Sequence, residues 1–384
     1  MAVLETIQTK LRAQNPADKY VLWAVLLLCA IGIVAVYSAI AFLAATKADG
    51  DTERFLLRHL QRVGLGLAMV VIFSRIDYHK LARLGRFGLT VSLIVLLLVP
   101  VVGITSGGAS RWLQIGAFGF QPSDLAKVAL ILYIGVLLTR KQTYVKSFAR
   151  SFVPLFIWIL VTGVMIGIED LSTAALVVVS ASLMCFVGRV SALHLSGLAA
   201  ASLVLAFLLL LGSPNRAARV EAYLGVKIFP NTEEAEVFSA QDEGYQAQQA
   251  KIAFAMGGLT GVGPGKSIQR DFLPAPYNDF IFAIVAEEYG VFGLALLIGC
   301  FMIILLRGFL RIARNAPDPL GLFLAVGFTS MLVLYAFIHA GVACGLFPVT
   351  GLPLPFVSYG GTSMLATGIM VGILLNISRQ IETA

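Results

Sequence analysis

The sequence predicts an all-α fold: a polytopic integral membrane protein with about ten transmembrane helices and one long extracytoplasmic loop. Three observations point there. Of 384 residues, 58% are hydrophobic and only 13% are charged, about half the roughly 25% typical of soluble domains. The apolar residues come in long runs, and at about 20 residues per span the length accommodates about ten of them. Basic residues collect in alternate connections, as they do on the cytoplasmic side of membrane proteins. The same composition excludes intrinsic disorder, a collagen-like chain and a disulfide scaffold. The net charge of +7 would suit nucleic acid, but no basic stripe interleaves with aromatic residues, so no nucleic-acid partner is expected.

The runs cover residues 20–45, 63–76, 87–103, 125–138, 152–168, 171–187, 192–211, 280–306, 320–347 and 356–377. The first is too long for a signal-peptide core and stays as a span. The second and fourth are short, so they borrow amphipathic turns from their flanks. One set of connections holds Lys10, Arg12 and Lys19; Arg75, Lys80, Arg83 and Arg86; Arg140, Lys141, Lys146 and Arg150; Arg189; Arg307, Arg311 and Arg314; and Arg379. The intervening ones around Glu169 and Asp170 and at 348–355 hold no Lys or Arg, and that at 103–124 holds Arg111 alone. Both termini therefore face the cytoplasm. A first outer loop with Lys47, Arg54, Arg58 and Arg62 breaks the rule. Residues 1–384 read as one membrane domain, and the connection at 212–279 far exceeds the usual length. Within it, Tyr245 to Met256 reads as a short helix on the outer membrane surface. No internal repeat and no paired broken helices of an inverted-repeat transporter are visible.

Three stretches concentrate residues capable of chemistry. The first runs from Gly107-Gly108-Ala109-Ser110-Arg111-Trp112 to Gln121-Pro122-Ser123-Asp124-Leu125-Ala126-Lys127. Trp112 suits an interface anchor, and Ser123 or Asp124 a helix cap. Lys127 falls in the first turn of a membrane helix, where a charge must pair, snorkel or bind a ligand. In the second stretch, two prolines lead into Tyr277-Asn278-Asp279, and Glu287-Glu288 follow. Asp279 reads as an N-cap or as a carboxylate in a polar pocket open to the outside. The two glutamates lie about 12–14 Å deeper along a helix, where acidic groups face a cavity or a cation. The third stretch, from Gly345 to Ser363 and including Ser358, crowds Gly and Pro together. Irregular backbone at membrane depth is tolerated only where it is buried in protein or lines a cavity.

Other signals lead nowhere. Gly261 to Ser267 looks like a phosphate-binding loop, but Thr260 stands where that loop needs its first Gly. His59, His79, His194 and His339 share no metal-ligand spacing, and no metal site is expected. Cys29, Cys185, Cys300 and Cys344 sit singly in apolar runs and read as small buried residues.

Together the three stretches resemble the SEDS family (shape, elongation, division and sporulation), with its FtsW-, RodA- and SpoVE-like branches. The likeness covers nearly the whole chain and is strongest at GASRW…QPSDLAK, GYQAQQAKIA…GG, LPAPYNDFIFAIVAEEYG and GLFPVTGLPLPFVSYGGTS. The stretch GVGPGKSIQRDFLP favours the FtsW-like over the RodA-like branch, while PVTG at 348–351 also suits the elongation type. The chain departs from the family pattern at Asp124, commonly Glu, and at Glu169-Asp170-Leu171-Ser172, commonly Pro-Asp-Leu-Gly. The resemblance implies ten spans in the inner membrane with both termini cytoplasmic. It also implies a peptidoglycan glycosyltransferase that polymerises lipid II into a growing glycan strand at the outer face. The implied partners are a class B penicillin-binding protein, other divisome or elongasome membrane proteins, and membrane lipids.

In that reaction a sugar 4-hydroxyl attacks the anomeric carbon of another glycan and expels undecaprenyl diphosphate. It needs a general base and cations to meet the charge growing on the leaving group. By resemblance Asp279 is the family's essential outer-loop aspartate and the expected base. Arg111, Lys127, Arg58, Arg216 and Arg219 are the expected diphosphate or headgroup ligands; Glu288 and Ser358 complete the expected substrate pocket. The sequence specifies no cofactor, and a divalent cation on the diphosphate is compatible with the chemistry. Two alternatives stand beside this reading: a lipid II flippase, which needs polar access from both sides, and a noncatalytic scaffold for the penicillin-binding protein. The long outer loop from Gly212 is the expected mobile element.

Overall fold

A computed structural model describes residues 16–47, 52–106, 109–115, 118–230, 241–273 and 275–381. Among them run twelve α-helices: α1 (Lys19–Lys47), α2 (Thr52–Arg75), α3 (Tyr78–Val102), α4 (Pro122–Arg140), α5 (Val153–Glu169), α6 (Leu171–Val187), α7 (Ala192–Leu211), α8 (Pro214–Leu224), α9 (Gln241–Gly257), α10 (Ile281–Leu306), α11 (Pro319–Ala343) and α12 (Thr362–Arg379). Nine are long and apolar enough to cross a membrane, and α6, of 17 residues, is a shorter apolar helix. That agrees with the expected ten spans. The helix expected at Tyr245 to Met256 is the greater part of α9.

Several boundaries differ from the apolar runs. α2 begins at Thr52, so Arg54, Arg58 and Arg62 are helical residues rather than an outer loop. α12 begins at Thr362 and not at 356, because Gly360-Gly361, behind a proline-rich stretch, resist helix. Inside α10, Gly290 adopts φ 61° and ψ −156°; a Cβ there would lie 2.5 Å from the Leu259 carbonyl oxygen. The break therefore follows from the close approach of a neighbouring loop.

The all-α fold stands, with one small addition that the apolar runs do not show. Between α3 and α4 lies a three-stranded antiparallel sheet of β1 (Ile104–Ser106), β2 (Ala109–Ile115) and β3 (Phe118–Phe120). Trp112 pairs with Ile104 and Leu113 with Phe120. Aromatic and β-branched residues in short runs separated by glycine suit a meander better than a loop. A correction concerns the cysteines: three are buried, but Cys344, at the C-cap of α11, is exposed.

The centre of the bundle is α4, α11 and α12, each with 78% of its apolar window buried, whereas α7, at 6%, lies at the periphery. α2 lies along α12 at backbone distance. A Cβ on Gly368 would sit 2.3 Å from the Gly66 carbonyl oxygen, so small residues there let van der Waals contact hold the pair. Polar side chains gather at the two ends of this apolar bundle. One end joins Asp18, Asp77, Tyr78, His79, Arg307, Asp318 and Asn376. The other joins Ser38, Arg62, Asp124, Lys127, Arg270 and Thr362 with the loops that precede α10 and α12.

Candidate active site

The irregular segment between α11 and α12 is fixed from beneath and from the side. Gly351 and Phe356 take φ of 67° and 63°. His339 of α11, fully buried, donates through Nδ1 to the Leu352 carbonyl at 2.7 Å. Ser358 Oγ accepts from the Leu354 amide at 2.8 Å and donates to the Asn278 carbonyl at 2.7 Å. The Tyr359 amide donates to the Tyr277 carbonyl at 3.0 Å. Two adjacent residues thus clip this segment to the turn that carries Asp279.

Asp279 lies in that turn, half-buried, just before α10. It is not the helix cap that its position suggested: the N-cap is Phe280. The Asp279 amide donates to the Ala275 carbonyl at 3.2 Å, and Oδ1 accepts from Asn278 Nδ2 at 2.8 Å. A Cβ placed on Gly351 would be 3.8 Å from Oδ2, so glycine leaves the space over this carboxylate open. Burial pushes the Tyr277 hydroxyl up, the charges of Tyr359 and Asp279 add to that, and Arg62 opposes them.

Arg62 is the cation of this site, and the charge pattern alone gave it no role beyond breaking the positive-inside rule. Its guanidinium lies 4.2 Å from the centre of the Tyr359 ring and donates to the Tyr359 carbonyl at 3.5 Å. His59, one turn away, stacks on the same ring at 5.5 Å, while Tyr277 meets it edge-on at 5.5 Å. The available signal was spacing: Arg58, His59 and Arg62 recur at three and four residues, one face of a helix.

Lys127 lies deeper. Its Nζ is 2.6 Å from Asp124 Oδ1, 3.4 Å from the Tyr335 hydroxyl and 4.5 Å from the centre of that ring. Asp124 Oδ2 accepts from Thr362 Oγ1 at 2.6 Å. Tyr335 reaches Thr173 at 3.3 Å, and Thr173 donates to Asp170, which caps α6. One buried polar chain therefore ties α12, α4, α11 and α6 together. A cavity of about 10 Å³, room for about one water, lies between Lys127 and Pro353, Phe356 and Ser358. Neither Ser123 nor Asp124 caps α4, whose N-cap is Gln121.

The remaining expected ligands are dispersed. Arg58 is exposed on α2, and Arg219 is half-buried on α8. Arg216 donates to the carbonyls of Gly167, Ile168 and Glu169 at 2.7, 2.6 and 3.0 Å; it stabilises the end of α5, where unpaired carbonyls attract cations. Arg111 is on β2, and its side chain lies outside the described residues. Glu288, expected in the substrate pocket, accepts from Ser38, whose carbonyl Arg270 also engages at 3.0 Å. Glu287 accepts from Ser267 and from the amides of Ile268 and Gln269. The two glutamates fasten the 261–271 loop to the break at Gly290. The glycines that mimicked a nucleotide loop are the backbone so held. Among the described residues no group of three or more His, Cys, Asp or Glu side chains is placed to hold a metal ion. Asp124 is engaged by Lys127 and Thr362, so it offers a divalent cation little.

Comparison with known proteins places these features. The family FTSW_RODA_SPOVE, described as cell cycle protein, matches residues 19–383. A probable peptidoglycan glycosyltransferase FtsW of Geobacter metallireducens is 37% identical over 365 residues, covering 94% of each chain. Stage V sporulation protein E of Bacillus subtilis is 38% identical over 358 residues, 92% of this chain and 94% of that one. Among solved structures, a chain of a peptidoglycan synthase complex that coordinates polymerization and crosslinking superposes with TM-score 0.74 at 28% identity, covering 94% of this chain and 98% of that one. The rod shape determining protein RodA of Thermus thermophilus superposes with TM-score 0.68 at 26% identity, covering 96% and 98%.

Proposed function

This chain belongs to the FtsW/RodA/SpoVE family of cell cycle proteins, and on that premise we propose that it polymerises lipid II with Asp279 as general base. Its activity is peptidoglycan glycosyltransfer, and its relatives named FtsW and SpoVE favour the FtsW-like branch. It is a multi-pass membrane protein. Both termini lie in the cytoplasm by the distribution of basic residues, which turns the Asp279 end outward.

The observation that carries the mechanism is the fixed turn at Asp279. Its carboxylate is half-exposed, clipped in place through Ser358 and Tyr359, and open on the Gly351 side. The carboxylate takes the proton of the acceptor 4-hydroxyl as that oxygen bonds to the donor's anomeric carbon. The bond from that carbon to the diphosphate oxygen breaks, and undecaprenyl diphosphate leaves with the electron pair. Arg62, across Tyr359 from this turn, supplies positive charge beside the leaving group, where fixed cations lower the barrier most. The buried Lys127 with Asp124 holds the floor of the site. Among the described residues no three His, Cys, Asp or Glu side chains gather to hold a metal ion by themselves, and no step is routed through one. A class B penicillin-binding protein is the partner that would crosslink the product, in line with the similarity to a synthase-complex chain.

Asp279→Asn, purified with its partner and given labelled lipid II, is expected to make no glycan while retaining the wild-type thermal midpoint. Undiminished polymer from that variant would remove Asp279 as the base. Absence of polymer from the wild-type complex would instead return the chain to the transporter or scaffold alternatives.

A further inference from the structure

The end of the bundle opposite Asp279 holds a second cavity, of about 450 Å³, lined by Lys19, Tyr20, Arg307, Arg311, Asp18 and Ser378. Its construction is specific. Arg307 and Arg311 belong to a π-helical segment, Arg307–Ala313, that follows α10; such wide turns are rare and cluster at functional sites. The segment is held tightly against α11: a Cβ on Gly308 would sit 2.2 Å from Thr329 Oγ1. Asp18 is buried, takes a hydrogen bond from Arg307 Nε at 2.9 Å, and has its own amide on Ser378 Oγ at 3.0 Å. The Arg307 guanidinium also stacks 4.7 Å from the centre of the Tyr20 ring, with Lys19 Nζ 5.4 Å from the same centre.

One carboxylate thus serves three cations. Lys19 and Arg311 are exposed and make no ion pair among the described residues, so the described lining carries two more positive charges than negative ones. A phosphate group matches it, since arginine binds phosphate through paired N–H groups and lysine as a point charge. The flanking surface indicates what carries the phosphate. Tyr20 and Trp23 of α1 are 51% and 68% exposed, and Leu306 and Leu310 beside the arginines are 47% and 62% exposed. Aromatic residues at that level mark the headgroup region of a bilayer, and apolar side chains continue from the cavity along both helices. We propose that this cavity binds the phosphate headgroup of an anionic glycerophospholipid, separately from the glycosyltransfer site.

The test uses the full-length protein in detergent. Thermal unfolding is followed on titration with phosphatidylglycerol, with phosphatidylcholine of the same chains, and with inorganic phosphate. Phosphatidylglycerol is expected to raise the midpoint and the other two to leave it unchanged. Lys19→Gln/Arg311→Gln should weaken the phosphatidylglycerol response at least about tenfold, as loss of two cations beside a phosphate implies. Arg140→Gln/Arg150→Gln, basic positions elsewhere, should not. Native mass spectrometry of the same samples reads retained lipid directly, so a destabilised variant remains informative. Equal responses to both lipids, an unchanged response in the Lys19/Arg311 variant, or an equal response to inorganic phosphate would each overturn the assignment.

Discussion

Tyr359 is one ring shared by three neighbours: Arg62 on one side, His59 beside it, and Tyr277 edge-on. Arg62→Ala removes the cation and its stacking together, and polymerisation should fall about 100-fold, the scale of a lost charge-stabilising group. Arg62→Lys should recover only part of that, because an ammonium neither forks nor stacks as a guanidinium does. Rates on labelled lipid II at unchanged thermal midpoint check both variants. Lys127 behaves differently. Its partner Asp124 is buried with it, so Lys127→Met strands a charge in the core and should cost about 3–5 kcal/mol of stability. Lys127→Met combined with Asp124→Leu should recover much of that midpoint without restoring full activity. The contrast also shows what was legible at this scale. Asp279 stood out because the motif around it is dense and specific. The useful cation did not, because which arginine reaches the Tyr359 ring depends on where helices from distant parts of the chain come to rest.

Among the hydrogen bonds that shape the segment between α11 and α12, the Ser358 hydroxyl makes two. Ser358→Ala leaves a buried amide and carbonyl without that partner, at about 1–3 kcal/mol each in the worst case. The expected result is a clear drop in kcat with little change in substrate KM, since the clip positions Asp279 rather than touching substrate; a raised KM at normal kcat would contradict it. Gly290→Ala meets both a left-handed backbone and the Leu259 carbonyl at 2.5 Å, and should fold poorly or detach the 261–271 loop, read as faster hydrogen exchange there. Helices were legible at this scale because hydropathy and helix-breaking residues act within a few turns. The strand meander at 104–120 and the break at Gly290 were not. Both depend on contacts that no local window contains, one with paired neighbours and the other with a loop some thirty residues earlier in the chain.

Taken whole, the molecule is an apolar bundle latched at both ends, and the latch opposite the catalytic end is titratable. Asp318 at the start of α11 accepts from His79 Nε2 at 2.9 Å, from the Tyr78 hydroxyl and from the Gly321 amide at 2.8 Å. Burial works to raise its pKa, but these hydrogen bonds outweigh it and hold the carboxyl at about 2. Asp77, on the other ring nitrogen of His79, is likewise half-buried and held below the usual carboxylate range by bonds from His79 and Gln380. Carboxylates depressed in the folded state bind fewer protons than in the unfolded chain, so stability rises with pH through their titration. The carboxylates' contribution is complete above about pH 4, where an unfolded aspartate has ionised, and is lost as pH falls through about 2. His79, raised chiefly by its hydrogen bond to Asp318, contributes in the opposite sense and loses its share as pH rises through its own titration. The thermal midpoint of the detergent-solubilised protein should therefore fall across the acidic window. Asp318→Asn should flatten the slope while lowering the midpoint at neutral pH, since it removes the charge but keeps a group that can accept from Tyr78. Asp124→Asn, at the other end, should leave the slope attributed to Asp318 in place. A variant at Asp318 that keeps the full acid dependence would show that the latch around His79 does not hold α3 and α11 together.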